Sequence, residues 1–348
     1  MPTTDLRPQS LLRAITNEAG RNGSAAVMIT RDGYHHTWCT GFASLAQRTP
    51  TTQRTPFEIG SITKTFTALL FAVLVEEGAM SLHEPLAAHV PPGAMPRDPR
   101  AKNITALHLA THTSGLPHLT PALILKALPT YVTNPYIRYH DRDLIKDLSR
   151  ARLRFPPGTS SHYSNIGFAL LGRMLEDVTK QSYADLVAEK VAGPLRLADT
   201  TARSDRIQAE GYWHGYPTPP LQTPGCAGAA AVRSSALDLT RYLTQHISPG
   251  HGLSPPLRRA LQTVTHTRSQ MTHTLAWHKR ATDHGDLYIH PGSTRGATAF
   301  IGFSPAQRTT LVALASSGWT LRNSLIQNSY LLLRHYTGLE GPRHSRCR

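Results

Sequence analysis

Three short segments carry side chains able to do nucleophilic and proton-transfer chemistry. In Phe57–Leu70, FEIGSITKTFTALL, a serine is followed three residues later by a lysine at the head of an apolar run. If a helix begins at Ser61, its side chain and that of Lys64 lie on one face and can meet. Serine needs an adjacent base to become a nucleophile. A lysine can be that base where burial or nearby cations favour its neutral form. The apolar residues Phe66, Leu69, Leu70, Val73 and Leu74 predict a buried helix, which supplies such an environment. The same stretch also fits a simpler role, with Ser61 as the N-cap of an ordinary core helix.

The second segment, Ser161-His162-Tyr163-Ser164-Asn165, follows the turn Pro156-Pro157-Gly158. Tyr163 offers a phenol for proton transfer, and Asn165 an amide to hold a substrate carbonyl or the lysine. Against this stands a capping role for Ser164 or Asn165 at the start of IGFALLGRMLEDV. The third segment is His290-Pro291-Gly292-Ser293 at the end of a strand-like run. A glycine there lets another backbone approach closely, and a plain Pro-Gly turn is the alternative.

The chain must bring these three together. It has 348 residues, 40% hydrophobic and 17% charged, the composition of a globular protein with a real core. A helix is predicted over Gln9–Glu18 and strands over Ala25–Thr30 and Thr37–Ala46. The middle is mainly helical and broken by prolines, as in HVPPGAMPRDPR (His89–Arg100). Helices are predicted over Asp141–Arg150, Ile166–Thr179, Tyr183–Val191 and Ser235–His246, with Tyr216–Gly225 as a loop. Strands return at Thr272–Lys279, Asp286–His290, Ala297–Phe303 and Thr309–Ser316, before a last helix near Leu321–Tyr336. The simplest assembly is an α+β fold: one antiparallel sheet from both chain ends, flanked by the terminal helices, with a mainly helical region inserted. The expected division is a discontinuous sheet body, 1–75 and 266–338, a helical region, 76–265, and a basic tail, 339–348.

The net charge of +15 raises the possibility of nucleic-acid binding. The basic residues, though, are mostly arginines scattered singly, with no run of five or more and no zinc-finger spacing, basic heptads or Gly-rich phosphate loop, so no nucleic-acid partner is expected. Cys39, Cys226 and Cys347 are odd in number and widely spaced, which suits a reducing compartment. The first twenty residues lack the pattern of a secretory signal. Phe66–Val75 is about half a membrane span. A cytoplasmic protein without membrane contact is the expectation, its oligomeric state open. His108 and His112 have i, i+4 spacing, but without HExxH no metal or cofactor is expected.

Together, Ser-x-x-Lys, Tyr-x-Asn and His-x-Gly in this order resemble the class C β-lactamase-like serine hydrolases. That group includes class C β-lactamases, D-Ala-D-Ala carboxypeptidases, family VIII esterases and related acyltransferases. ITALHLATHTSGLPHL (Ile104–Leu119), PPGTSSHYSNIGFALLG (Pro156–Gly172), GCAGAAAVRSSALDLTRYL (Gly225–Leu243) and HPGSTRGATAFIGFSP (His290–Pro305) extend the resemblance over roughly residues 10–335. It implies the β-lactamase/transpeptidase-like fold and an acyl-enzyme on Ser61, with Lys64 and Tyr163 sharing the base work. It further implies an oxyanion hole from the N–H groups of Ser61 and of Ser293, which follows Gly292, and a substrate-orienting role for Asn165. His290 stands where the family has lysine or histidine, and as a histidine it is expected to make activity vary near pH 6–7. Pro291 replaces the usual threonine and removes a hydroxyl that helps bind a substrate carboxylate. Arg295 is a candidate for a different anion contact, with a solvated arginine as the alternative. The expected partner is a small acyl substrate, an ester, amide or thioester. A β-lactamase or D-Ala-D-Ala carboxypeptidase, or a non-catalytic binding protein on the same scaffold, are the alternatives.

Overall fold

A computed structural model describes residues 6–20, 22–130, 133–266, 274–320 and 323–339. Cys347, most of the basic tail, and the start of the strand predicted from Thr272 lie outside them.

The strands are β1 Ser24–Arg31, β2 Tyr34–Ser44, β3 Thr49–Pro50, β4 Phe57–Glu58, β5 Gly211–Trp213, β6 Tyr216–Thr218, β7 Arg233–Ser234, β8 His278–Arg280, β9 Leu287–Ser293, β10 Thr298–Ser304 and β11 Thr309–Ala315. Seven form one sheet in the order β3-β2-β1-β11-β10-β9-β8, antiparallel throughout. The first and last thirds of the chain therefore meet at β1–β11, where Ala25 faces Ala315 and Arg31 faces Thr309.

The central strands are apolar on both faces, and alternation sends their side chains into two cores. Ala26, Met28, Ile301, Phe303, Val312 and Leu314 join the larger core under the helical region. Ala25, Val27, Ile29, Phe300, Leu311 and Ala313 pack in a second core with residues of the terminal helices, α1 (Leu6–Asn17) and α7 (Leu325–Tyr336). The result is the predicted sheet of both chain ends with helices on each side.

The helices that matter for the site are α2 (Thr63–Glu76), α3 (Ala106–Ala110), α4 (Asn165–Thr179), α5 (Ala236–Ile247) and α6 (Pro255–Thr263). α2 has buried side chains along nearly its whole length and is the spine of the larger core.

Several local expectations change. The stretch predicted as a loop from Tyr216 begins with β6, hairpin partner of β5. The helix predicted over Tyr183–Val191 is four α-helical residues followed by a π-helix, Val187–Ala192. β4 and β7 form a two-residue pair too short for any periodicity to announce. The segment His290–Ser293 stays in β9, so Pro-Gly makes no turn there. β8 pairs with β9 only from Leu287 to Ile289, so Pro291 stands beyond the end of its neighbour, an edge position where a missing N–H is tolerated.

Candidate active site

Ser61 lies within a short 3-10 turn, Gly60–Ile62, that runs directly into α2. No side chain caps that turn or α2, so the capping role for Ser61 is not realised. Its Oγ instead accepts a hydrogen bond from Lys64 Nζ at 3.2 Å. Lys64 is completely buried. Its Nζ also donates to Ala229 O at 3.0 Å and lies 5.0 Å from the centre of the Tyr163 ring. No carboxylate pairs with it among the described residues.

The third segment packs against this turn. A Cβ on Gly292 would lie 2.0 Å from Ile59 O, and one on Gly60 would lie 2.7 Å from Ser293 N. Gly60 also has φ +50, a left-handed conformation that favours glycine. Both glycines thus let the end of β9 lie directly on the serine turn, so the backbones of Ser61 and Ser293 share one small volume. The first turn of a helix gives its N–H groups no intrahelical acceptor, which leaves that of Ser61 available to a ligand.

Tyr163 and Asn165 are set by the start of α4. Ser164 is the N-cap: its Oγ accepts from Gly167 N at 2.9 Å and donates to Pro117 O at 2.7 Å. Ser164 takes the cap, and Tyr163 and Asn165 on either side of it line the cleft. His112 Nδ1 accepts from Ser164 N at 3.1 Å, and its ring lies 4.5 Å from that of Tyr163. His108 closes a capping box with Thr105 on α3. The i, i+4 histidines are therefore occupied with separate structural bonds.

Ser61, Tyr163, Asn165, Ser293 and Arg295 line one cleft of about 320 Å³. Lys64 and Gly292 are buried and are not among the residues that line it. Arg295 is half-buried with its guanidinium 4.5 Å from the Trp213 ring centre, a stacked arginine rather than the freely solvated one weighed above. Composition alone did not point to His118, Tyr136, Thr294 and Trp319, which also face the cleft. His118 was within reach of sequence reasoning, since it closes the quoted segment THTSGLPHL. Cys226 touches the cleft wall but is buried, and burial pushes its thiol up to about 12.

His290 departs from expectation. It is fully buried, with Nδ1 2.7 Å from Pro291 O and its ring 5.2 Å from that of His278. Burial first, then His278 and the positive charge of Lys64, hold it well below the usual imidazole range. Losing water disfavours the charged ring. Burial therefore opposes the titration near pH 6–7 that was expected of His290.

Behind the cleft, Glu58 is buried and accepts from Thr294 Oγ1 at 2.6 Å, Leu221 N at 2.6 Å and Gln208 Nε2 at 2.9 Å. Arg233, also buried, donates to Gln208, Ala231 O and Leu221 O. This network ties the serine turn's own strand, β4, to both flanking walls.

Residues 9–331 match the family model described as Beta-lactamase. The D-alanyl-D-alanine-carboxypeptidase/endopeptidase AmpH of Escherichia coli K12 is 30% identical over 217 residues, 62% of this chain and 54% of that protein. Protein flp of Staphylococcus aureus MW2 is 24% identical over 291 residues, 79% of this chain and 56% of its own. The chain thus spans about half the length of the curated relatives it matches. Among solved structures, a β-lactamase/D-alanine carboxypeptidase from Pseudomonas syringae superposes with TM-score 0.78 at 25% identity, covering 95% of this chain and 98% of that one. A class C β-lactamase from Rhodobacter sphaeroides gives TM-score 0.78 at 25% identity, covering 95% and 99%.

Proposed function

The chain belongs to the β-lactamase family of serine hydrolases, and from that premise we propose that it works through an acyl-enzyme on Ser61, formed from a small ester, amide or thioester. The observation that carries this is the 3.2 Å contact between Ser61 Oγ and the fully buried Lys64 Nζ. In its neutral form Lys64 takes the Ser61 proton as Oγ bonds to the acyl carbon. The carbonyl oxygen becomes an oxyanion received by the N–H groups of Ser61 and Ser293, donors of a kind worth about 3–4 kcal/mol each. Tyr163, beside Lys64, relays the proton to the leaving group, whose bond to the acyl carbon then breaks. Water or another acceptor reverses the sequence and frees the serine. Asn165 orients the substrate.

Intact-protein mass spectrometry after exposure to a fluorophosphonate, an activated ester and a penicillin tests this. An adduct on the native protein that is absent from Ser61→Ala is expected. Failure of every reagent to add to the native protein would overturn it.

A second reading, a β-lactamase or D-Ala-D-Ala carboxypeptidase, is favoured by Arg295, whose cation faces the cleft and suits a substrate carboxylate. Pro291, with no hydroxyl to offer that carboxylate, weighs against it. Turnover of nitrocefin relative to a p-nitrophenyl ester separates the two.

A further inference from the structure

His118 is attached to the Tyr-x-Asn segment at three points. Its backbone oxygen accepts from Asn165 N at 3.1 Å. Its Nε2 lies 3.1 Å from Asn165 Nδ2, and its ring meets that of Tyr163 edge-on at 5.5 Å. An amide nitrogen only donates, so in this arrangement Nε2 must be an unprotonated acceptor and the imidazole neutral, with its proton on Nδ1. Tyr136 lines the same part of the cleft. On the other end of that amide, the buried Oδ1 has no hydrogen-bond partner among the described residues.

We propose that His118 is a positioning residue that sets which way the Asn165 amide is turned in the cleft wall. Neutral His118 holds Nδ2 and leaves the buried Oδ1 without a partner among the described residues. Protonated His118 makes Nε2 a donor, which repels Nδ2 and attracts Oδ1, so the amide turns over. The charged groups facing His118 are Lys64 from α2 and Arg154 and His162 from the segment leading to α4. Partial burial, and then these positive charges, hold the ring below the ordinary imidazole range. Both causes favour the neutral ring and with it the observed orientation, and the reversal of the amide lies toward acid pH.

The inference rests on the acyl-enzyme reading for its effect on rate, but its geometry can be tested separately. Long-range 1H–15N spectra of the full chain at pH 8 should show His118 as the Nδ1-protonated tautomer. An Nε2-protonated ring would overturn the proposal. In the kcat/KM profile for a p-nitrophenyl ester, native protein should show a step below pH 6.5. His118→Gln offers an acceptor that does not titrate, and should remove that step while keeping alkaline activity. His118→Ala should lose about tenfold on the alkaline side and show no step, the worth of one hydrogen bond in a buried site. Profiles that coincide for all three proteins, with a fluorophosphonate adduct forming on Ser61 in each, would overturn the proposal and leave the acyl-enzyme reading intact. Absence of that adduct would defeat the acyl-enzyme reading, and the tautomer measurement would then decide the proposal alone.

Discussion

At the residue scale, Ser61 and Lys64 show how a short motif is resolved by what surrounds it. The tetrapeptide alone fitted the start of an ordinary buried helix better than a catalytic pair. The cap is absent, and the serine oxygen is held by a lysine with no access to water. Ser61→Ala should reduce turnover of an activated ester by about 10⁴-fold or more, since removing a covalent nucleophile removes the whole pathway. Circular dichroism should stay native, because the Ser61 side chain caps nothing. His290 is the opposite case. Its type was legible, but its titration depended on burial and on His278, twelve residues earlier on β8, which no local pattern foretells. Burial, then His278 and Lys64, hold its ring well below the usual imidazole range. His290→Gln should therefore leave the shape of the pH–rate profile between pH 6 and 7 unchanged. A step in that range that disappears with this substitution would show that His290 does take a proton there.

At the element scale, long periodic segments were readable and short ones were not. β1 and β10 carry enough β-branched and aromatic residues to declare themselves, and α4 declares itself by its apolar face and its cap. The β4–β7 pair has two residues a strand and is held by tertiary packing. The extension of β9 through Pro291 and Gly292 depends on where β8 stops. Two substitutions separate capping from docking. Ser164→Ala removes the acceptor for Gly167 N and the donor to Pro117 O. It should cost about 1–2 kcal/mol of stability, read as a lower urea midpoint. Gly292→Ala places a carbon 2.0 Å from Ile59 O, so β9 must move off the serine turn. Acylation of Ser61 by a fluorophosphonate should fall by more than tenfold even in the fraction that remains folded. Equal labelling rates for Gly292→Ala and the native protein would show that the close approach is not needed to form the site.

At the scale of the whole molecule, the sheet separates two cores, and the junction of the larger one with α5 and α6 carries a buried histidine that no motif marked. His246 sits on α5 with Nδ1 3.0 Å from Leu261 O of α6, and its ring is enclosed by Tyr242, Trp277 and Phe303. Burial lowers its pKa to about 4, with the Leu261 carbonyl acting weakly the other way. An unfolded histidine titrates near 6.5. Between those values the unfolded chain binds a proton that the folded one refuses, so stability is complete above about pH 6.5 and is lost as pH falls toward 4. A gap of that size corresponds to about 3 kcal/mol over the window, and His290, also lowered, adds in the same direction. The paired carboxylates Asp98 and Asp185, held low by Arg100 for the first and by Ser182 and Arg203 for the second, act only further toward acid. Urea midpoints measured at pH 7.5, 6 and 5 should therefore fall steadily in the native protein. His246→Asn keeps a donor for Leu261 O but cannot titrate; it should begin at a lower midpoint and decline less steeply. Parallel slopes in the two proteins would place the acid sensitivity elsewhere than at the α5–α6 junction.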